Sequence, residues 1–205
     1  GAGIMIKEFN VVIAGVGGQG VILMSELLGN AAVAEGINVR GSEVLGMAVR
    51  GGSVSSTIRL GDEALAPLAP AGKTNILVGM EPSEALRNIN NVSESTTVIL
   101  NTEKVVPFTV SSLGSTYPEL ETILEKLGAA TGNIMQINAA KLAVEAGSQQ
   151  SANVVMLGAL FGQGDLPIKI ETVKEQIQNR FSAKLAEVNL KAFDLGYEAC
   201  RKAMK

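Results

Sequence analysis

The sequence predicts an α/β fold: an open, mostly parallel sheet with helices on both faces, giving three layers. Three observations carry this. Phe9 to Ala14 is a short apolar run rich in β-branched residues, a glycine-rich loop from Gly15 to Gly20 follows, and Val21 to Leu28 then spaces its apolar residues as a helix does. Strand-like and helix-like segments go on alternating along the chain, the pattern of β-α-β units. The 205 residues are 46% hydrophobic and 18% charged, which suits a well-filled core of one domain.

The elements follow in order. A first helix is predicted over Gly20 to Glu35, with Gly36 placed to end it. Ile37 to Arg40 reads as the second strand, completing a β-α-β entry into a parallel sheet. Gly41 to Gly52 suits a surface loop, and Val54 to Arg59 alternates as a half-buried strand. Asp62 to Gly72, with Pro67 and Pro70, is an irregular connection. Thr74 to Met80 is a buried strand ending at Glu81-Pro82, and Pro82 suits the first turn of a helix through Asn90. Glu81 therefore falls at the C-terminal edge of the sheet, where open α/β sheets bind ligands.

Strands are predicted over Thr96 to Leu100 and, more weakly, Val105 to Val110. Pro118 opens a helix that Gly128 ends, Asn133 to Asn138 is a strand, and Ala139 to Ala146 is a helix. Asn153 to Phe161 lacks a polar face, which requires burial against the body or a partner. Thr172 to Glu175 has capping-box form for a helix to Arg180. The last helix, Lys184 to Met204, carries Leu185, Val188, Ala192, Leu195 and Ala199 on one stripe, widened by Leu190, Phe193 and Tyr197. With no repeat or linker, residues 1–205 read as a single domain, Gly1-Ala2-Gly3 being a cloning remnant.

Composition excludes several functions. A net charge of −3 and 3% aromatics oppose nucleic-acid binding, which needs a basic footprint or stacking surfaces. One cysteine, Cys200, and no histidine rule out a disulfide, a Ser-His-Asp triad and the usual metal ligand set, so no metal site is expected. No apolar run reaches the roughly 18 residues of a membrane span and no leader is evident, so a cytoplasmic location is expected.

Gly15-x-Gly17-x-x-Gly20 satisfies the dinucleotide fingerprint of Rossmann-like folds between a strand and a helix. Glycines let the backbone approach a ligand, and the first helical N–H groups lack internal partners, so Gly15, Gly17, Gly18, Gln19 and Gly20 form a candidate phosphate cradle. Alternatively the glycines only permit close strand–helix packing. The acidic residue that would hold a ribose hydroxyl is replaced by Arg40, which leaves open a free-standing NADP-binding oxidoreductase. Arg50-Gly51-Gly52-Ser53 sets a guanidinium beside a tight turn, an anion site, an interface anchor or a solvated turn. Glu43 and Glu81 are either paired acid/base groups or salt-bridge partners of Arg50. Asn153 reads as an N-cap, and Cys200 as core.

Val16 to Gly20 and Ser42 to Val54 resemble the gamma-type subunit of 2-oxoacid:ferredoxin oxidoreductases. The Ser42-Glu43-Val44, Gly46-Met47 and Arg50-Gly51-Gly52-Ser53-Val54 segments look most like the beta-subunit type of indolepyruvate ferredoxin oxidoreductase. Glu81 to Leu86, Asn153 to Leu160 and Asn189 to Tyr197 are also similar to that family. Leu45 and Val49 depart from it, standing where many members carry histidine and a polar residue. The resemblance implies the domain III type of the pyruvate-ferredoxin oxidoreductase fold. It also implies oxidative decarboxylation of a 2-oxoacid, an aryl pyruvate such as indolepyruvate, with coenzyme A, giving acyl-CoA, carbon dioxide and reduced ferredoxin.

On this reading coenzyme A lies at the glycine loop, and Glu43 and Arg50 to Ser53 face the partner's active site. Thiamine diphosphate and iron–sulfur clusters belong to a large catalytic subunit, and the chain works as part of a hetero-oligomer and is inactive alone. The remaining alternative is a scaffold subunit that binds no ligand.

Overall fold

A computed structural model describes residues 6–46, 51–106, 114 and 116–205. Among them six strands form one sheet in the order β2-β3-β1-β4-β5-β6: β1 Phe9–Val16, β2 Val39–Leu45, β3 Ser53–Leu60, β4 Ile76–Gly79, β5 Thr97–Asn101 and β6 Ile134–Ile137. Seven α-helices accompany them: α1 Val21–Ala34, α2 Pro82–Arg87, α3 Leu120–Ala130, α4 Ala139–Ala146, α5 Ala152–Gly162, α6 Ile170–Arg180 and α7 Ala183–Ala203. β1, β4, β5 and β6 pair in parallel, and β3 is antiparallel to both of its neighbours. The sheet is thus mostly parallel, as the sequence predicts.

Alternation along the buried strands builds two cores. Val11, Ile13, Ile76, Val78 and Ile99 face α1 and α4 to α7, whereas Val12, Ala14, Leu77, Val98 and Leu100 face α2 and α3. Chain progression from β1 through α1 runs one way across the sheet, and from β4 through α2 and α3 the other way. Right-handed crossovers running in opposite directions put their helices on opposite faces, and this produces the three layers. The point where the direction reverses, between β1 and β4, lies beside the glycine loop.

The second strand departs from expectation. Ile37 to Arg40 is the expected strand, but β2 starts at Val39 and continues through residues expected as loop; it runs parallel to β1, as a β-α-β unit requires, with β3 between them. The reason is the β2–β3 hairpin, whose antiparallel ladder runs from Val39 opposite Leu60 to Leu45 opposite Val54 and draws Gly41 to Leu45 into the sheet. The described residues at its tip, Gly46, Gly51 and Gly52, therefore lie at the C-terminal edge of the parallel strands, where Ser53 pairs with Val16.

Other boundaries move for local reasons. Gly128 does not end α3, which continues to Ala130. The cap of α6 is Lys169, three residues ahead of the expected capping box, and it makes no side-chain cap bond. On α7 the expected Ala192 and Phe193 are buried but Leu185 is 52% exposed, and the buried line runs through Ala186, Asn189, Ala192, Phe193, Gly196 and Cys200. Val105 and Val106 lie outside any strand, and Val110 is beyond the described residues. Gly36 does close α1: its N–H donates to Val33 O at 2.9 Å and that of Ile37 to Ala32 O at 2.9 Å, the paired bonds of a Schellman motif. The expected burial of α5 falls on the body of the protein, with every residue from Asn153 to Gly162 buried.

Candidate functional site

The glycine loop leaves β1 at the direction-reversal point and enters α1 through Gly20, the N-cap, at φ 79°. Gly18 has φ 94° and nothing within 4 Å of where a Cβ would sit. Both angles lie where side-chain-bearing residues are strained. Gly17 and Gly18 are exposed and no acidic residue occupies the first turn of α1. The first intrahelical bond runs from Met24 N to Gly20 O, so the N–H groups of Val21, Ile22 and Leu23 point out of the helix end without an intrahelical acceptor.

The loop residues divide into two roles. Gly15 is buried, and a Cβ there would lie 2.8 Å from Gln19 Oε1 and 2.9 Å from Met80 Cβ and from Val21 Cγ2. This glycine serves close packing of strand on helix. Gln19 turns inward: its Oε1 accepts from Val16 N at 2.9 Å and its Nε2 donates to Met80 O at 3.0 Å. One side chain thus bridges the ends of β1 and β4 and closes the crevice between them.

The hairpin tip docks on the same loop. Gly17 N donates to Gly52 O at 2.8 Å, Gly46 N to Ser53 O at 2.6 Å, and Ser53 Oγ to Glu84 Oε1 at 3.0 Å. Gly51, at φ 66°, and Gly52 are half-buried beside Gly17. Gly15 to Gly20 and Gly51 to Ser53 are therefore brought together, whereas Arg50 lies outside the described residues. Sequence reasoning missed Glu84 as the anchor of this tip, because nothing local links it to Ser53.

Glu43 and Glu81 are not brought together. Glu43 is exposed on edge strand β2 and lines a cavity of about 370 Å³ with Glu26, Ser25 and Ser42. β3 and β1 stand between β2 and β4, which places Glu43 roughly 14 Å across the sheet from the strand preceding Glu81. Glu81 lies at the C-terminal end of β4 as expected, fully buried, and caps α2 through Oε2 accepting from Glu84 N at 3.0 Å. Its Oε1 accepts from the Tyr117 hydroxyl. Burial raises the Glu81 carboxyl above its usual range, and burial together with the Glu81 bond pushes the Tyr117 phenol up to about 12.

A raised carboxyl makes stability depend on pH in a definite direction. The folded chain holds the Glu81 proton more tightly than the unfolded chain, so this contribution is complete below about pH 4.3 and declines as pH rises toward the folded value. Glu81→Gln keeps an oxygen for Glu84 N–H and removes the titration. Urea midpoints are expected to fall less between pH 5 and about pH 7.5 in the variant than in the parent. An unchanged slope would mean that Glu81 ionises as freely folded as unfolded.

Arg40 is far from the cradle. It pairs with Arg59, which pairs with Asn10, and Asn10 lies six positions before Val16 on β1, about 20 Å from the glycine loop. It cannot meet a 2′-phosphate held there, which removes the residue that favoured NADP. Asn153, expected as an N-cap, sits at the second position of α5 behind Ser151 and packs on Gly20. Cys200 is buried, and burial pushes its thiol up to about 11, which leaves it unreactive. Among the described residues no group of three or more His, Cys, Asp or Glu is placed to hold a metal ion, and no helix is long and apolar enough to cross a membrane.

A family model described as Pyruvate ferredoxin/flavodoxin oxidoreductase matches residues 10–199. The chain belongs to this family. Among its relatives, the indolepyruvate oxidoreductase subunit IorB of Archaeoglobus fulgidus is 42% identical over 93% of this chain and 94% of its own. The subunit of the same name from Pyrococcus horikoshii is 41% identical over 97% of this chain and 99% of its own. The fold matches the 2-oxoglutarate:ferredoxin oxidoreductase of Magnetococcus marinus, solved with 2-oxoglutarate, coenzyme A and succinyl-CoA bound. The TM-score is 0.76 at 20% identity over 96% of this chain, which spans 32% of that one.

Proposed function

We propose that this chain is the small, non-redox subunit of a heteromeric 2-oxoacid:ferredoxin oxidoreductase and that its glycine loop holds coenzyme A. The observation that carries the reading is the 41–42% identity with indolepyruvate oxidoreductase subunits over 93–97% of the chain. The site supports it: exposed Gly17 and Gly18 and the open amides of α1 suit the pyrophosphate of coenzyme A. The 2-oxoacid is an aryl pyruvate such as indolepyruvate, in keeping with those relatives. In the reaction the bond between the carbonyl and carboxylate carbons breaks and carbon dioxide leaves. The coenzyme A thiol loses its proton and joins the acyl carbon, and the electrons of the oxidation pass to ferredoxin.

A chain with one buried cysteine and no histidine does not suit an iron–sulfur cluster, so the redox groups are assigned to a larger partner. There thiamine diphosphate supplies the electron sink for decarboxylation and the clusters supply the route to ferredoxin. This chain's part is to bind and orient the acceptor thiol's carrier. Gln19 keeps the carrier out of the strand crevice, and Gly17 and Gly52 lock the hairpin tip beside it.

Reconstitution with the large subunit tests the reading. Acyl-CoA formation is expected to require this chain, and a large subunit that forms thioester at an undiminished rate without it would overturn the assignment. Gly17→Val is the site variant of choice, because a Cβ at Gly17 meets only ordinary contacts, 3.5 Å from Gly51 N at the nearest. The fold should survive while the added methyl groups crowd the cradle. The KM for coenzyme A in the complex is expected to rise at least tenfold, about 1.4 kcal/mol of lost binding. An unchanged KM would favour a scaffold that binds no ligand.

A further inference from the structure

The first turns of α1 and α5 meet at one contact. A Cβ on Gly20 would overlap the side-chain amide nitrogen of Asn153 and lie 3.0 Å from its Cγ and 3.1 Å from its Cβ. Asn153 is 8% exposed, and its Oδ1 accepts from Val154 N at 3.0 Å. That bond fixes the orientation of the amide: the oxygen is turned to its own helix and Nδ2 to the N-cap of α1. Among the described residues Nδ2 has no hydrogen-bond acceptor. Neither helix has a side-chain cap or an acidic residue in its first turn.

The positive end of α1 and the unspent N–H₂ group of a side chain only 8% exposed therefore converge on one spot. The amide donor is left without a partner among the described residues and so is free for a ligand, and a residue serving only to fill space there would be apolar. An oxygen of an anionic ligand satisfies the side-chain donor and the open amides of α1 together.

We propose that Asn153 is a ligand-binding residue, donating from its side-chain amide to a phosphate oxygen of the coenzyme A pyrophosphate held at the N-terminus of α1. This rests on the coenzyme A reading above and adds a contact from the far half of the chain.

The test uses the reconstituted complex with coenzyme A and, in parallel, pantetheine, which carries the same thiol without phosphates. Asn153→Asp replaces the donor with a carboxylate of the same shape. The KM for coenzyme A is expected to rise at least tenfold while pantetheine is used as by the parent. The Tm of the isolated variant chain is expected to equal or exceed the parent's, because the carboxylate meets the positive end of α1 and lies in the first turn of α5. Asn153→Ala, which removes the donor without adding charge, should raise the KM for coenzyme A several-fold.

A KM within twofold of the parent for both Asn153 variants, alongside a raised KM for Gly17→Val, would overturn the inference and leave the coenzyme A reading standing. Unchanged values in all three variants would overturn both. Equal losses with coenzyme A and pantetheine, together with a lowered Tm, would make Asn153 a packing residue and also overturn the inference.

Discussion

Gly196→Ala is expected to lower the Tm of the isolated chain by about 10 °C, and Gly158→Ala by a similar amount. Ordinary helix propensity points the other way, since alanine in a helix interior is favoured over glycine by up to about 1 kcal/mol. Contact decides the sign. A Cβ on Gly196 would overlap the carbonyl oxygen of Val155 and lie 2.7 Å from its carbonyl carbon. On Gly158 it would overlap the carbonyl oxygen of Phe193 and lie 2.8 Å from its carbonyl carbon. These are backbone atoms of the facing helix and have no rotamer by which to yield, so α5 and α7 must separate along a fully buried seam.

Overpacking of this kind costs about 3 kcal/mol or more, and each kcal/mol moves the Tm of a chain this long by roughly 2–4 °C. Gly29→Ala in α1 and Gly128→Ala in α3 provide the matched control, because nothing lies within 4 Å of either new Cβ. Those two should raise the Tm by about 1–3 °C. A Gly196→Ala chain melting within 2 °C of the parent would show that the helices do not approach so closely.

The same seam explains what the sequence conceals. The expected stripe of the last helix places Ala192 correctly, yet Leu185 on it is exposed and Val188 half-buried, whereas Ala186 and Gly196, which it leaves out, are buried. Hydrophobic periodicity weighs side-chain size, whereas this interface is built on its smallness. α5 itself was legible, because a helix apolar on every side has nowhere to go but inside. So were β1, the glycine loop, α1 and the Glu81-Pro82 strand end, all of which are set by residues adjacent in sequence.

Long-range pairing was not legible. β3 enters between β1 and β2 because the hairpin forms, and this displaces Arg40 to the far end of the sheet, where no local pattern would put it. For the same reason the glycine fingerprint reads correctly as strand, turn and helix, yet Gly15 is spent on packing. Asn153 looks like a cap because it opens an apolar run. Its relation to Gly20 exists only after two helices from opposite halves of the chain have packed.

Arg59 is the remaining large effect. Its guanidinium is buried at the edge of the sheet opposite the cradle, where Nε donates to Asn10 Oδ1 at 3.1 Å, Nη1 to Ala66 O at 2.7 Å and to Leu68 O at 3.0 Å, and Nη2 to Glu8 Oε1. Asn10 extends the network to Lys73 O at 2.9 Å and Asn75 Oδ1 at 2.8 Å. One side chain therefore ties the irregular segment after β3 to β1, a segment with few apolar anchors, since Leu65 and Leu68 are exposed.

Arg59→Met keeps much of the volume and strands two carbonyls, an amide oxygen and a carboxylate. Removing one member of a buried pair costs about 3–5 kcal/mol, and the partial exposure of Glu8 places this case near 3, a fall in Tm of roughly 6–12 °C. Arg59→Lys should recover less than half, because an ammonium cannot span acceptors arranged for a planar fork. The hydrogen bond from Asn10 and then that from Arg59 hold the Glu8 carboxyl below its usual range, so its contribution is present above about pH 4.3 and lost as pH falls through the lower folded value. The acid limb of stability in Arg59→Met is accordingly expected to be shallower than in the parent. Glu8→Gln added to Arg59→Met should cost much less than the two separate losses combined, because each change removes the same ion pair.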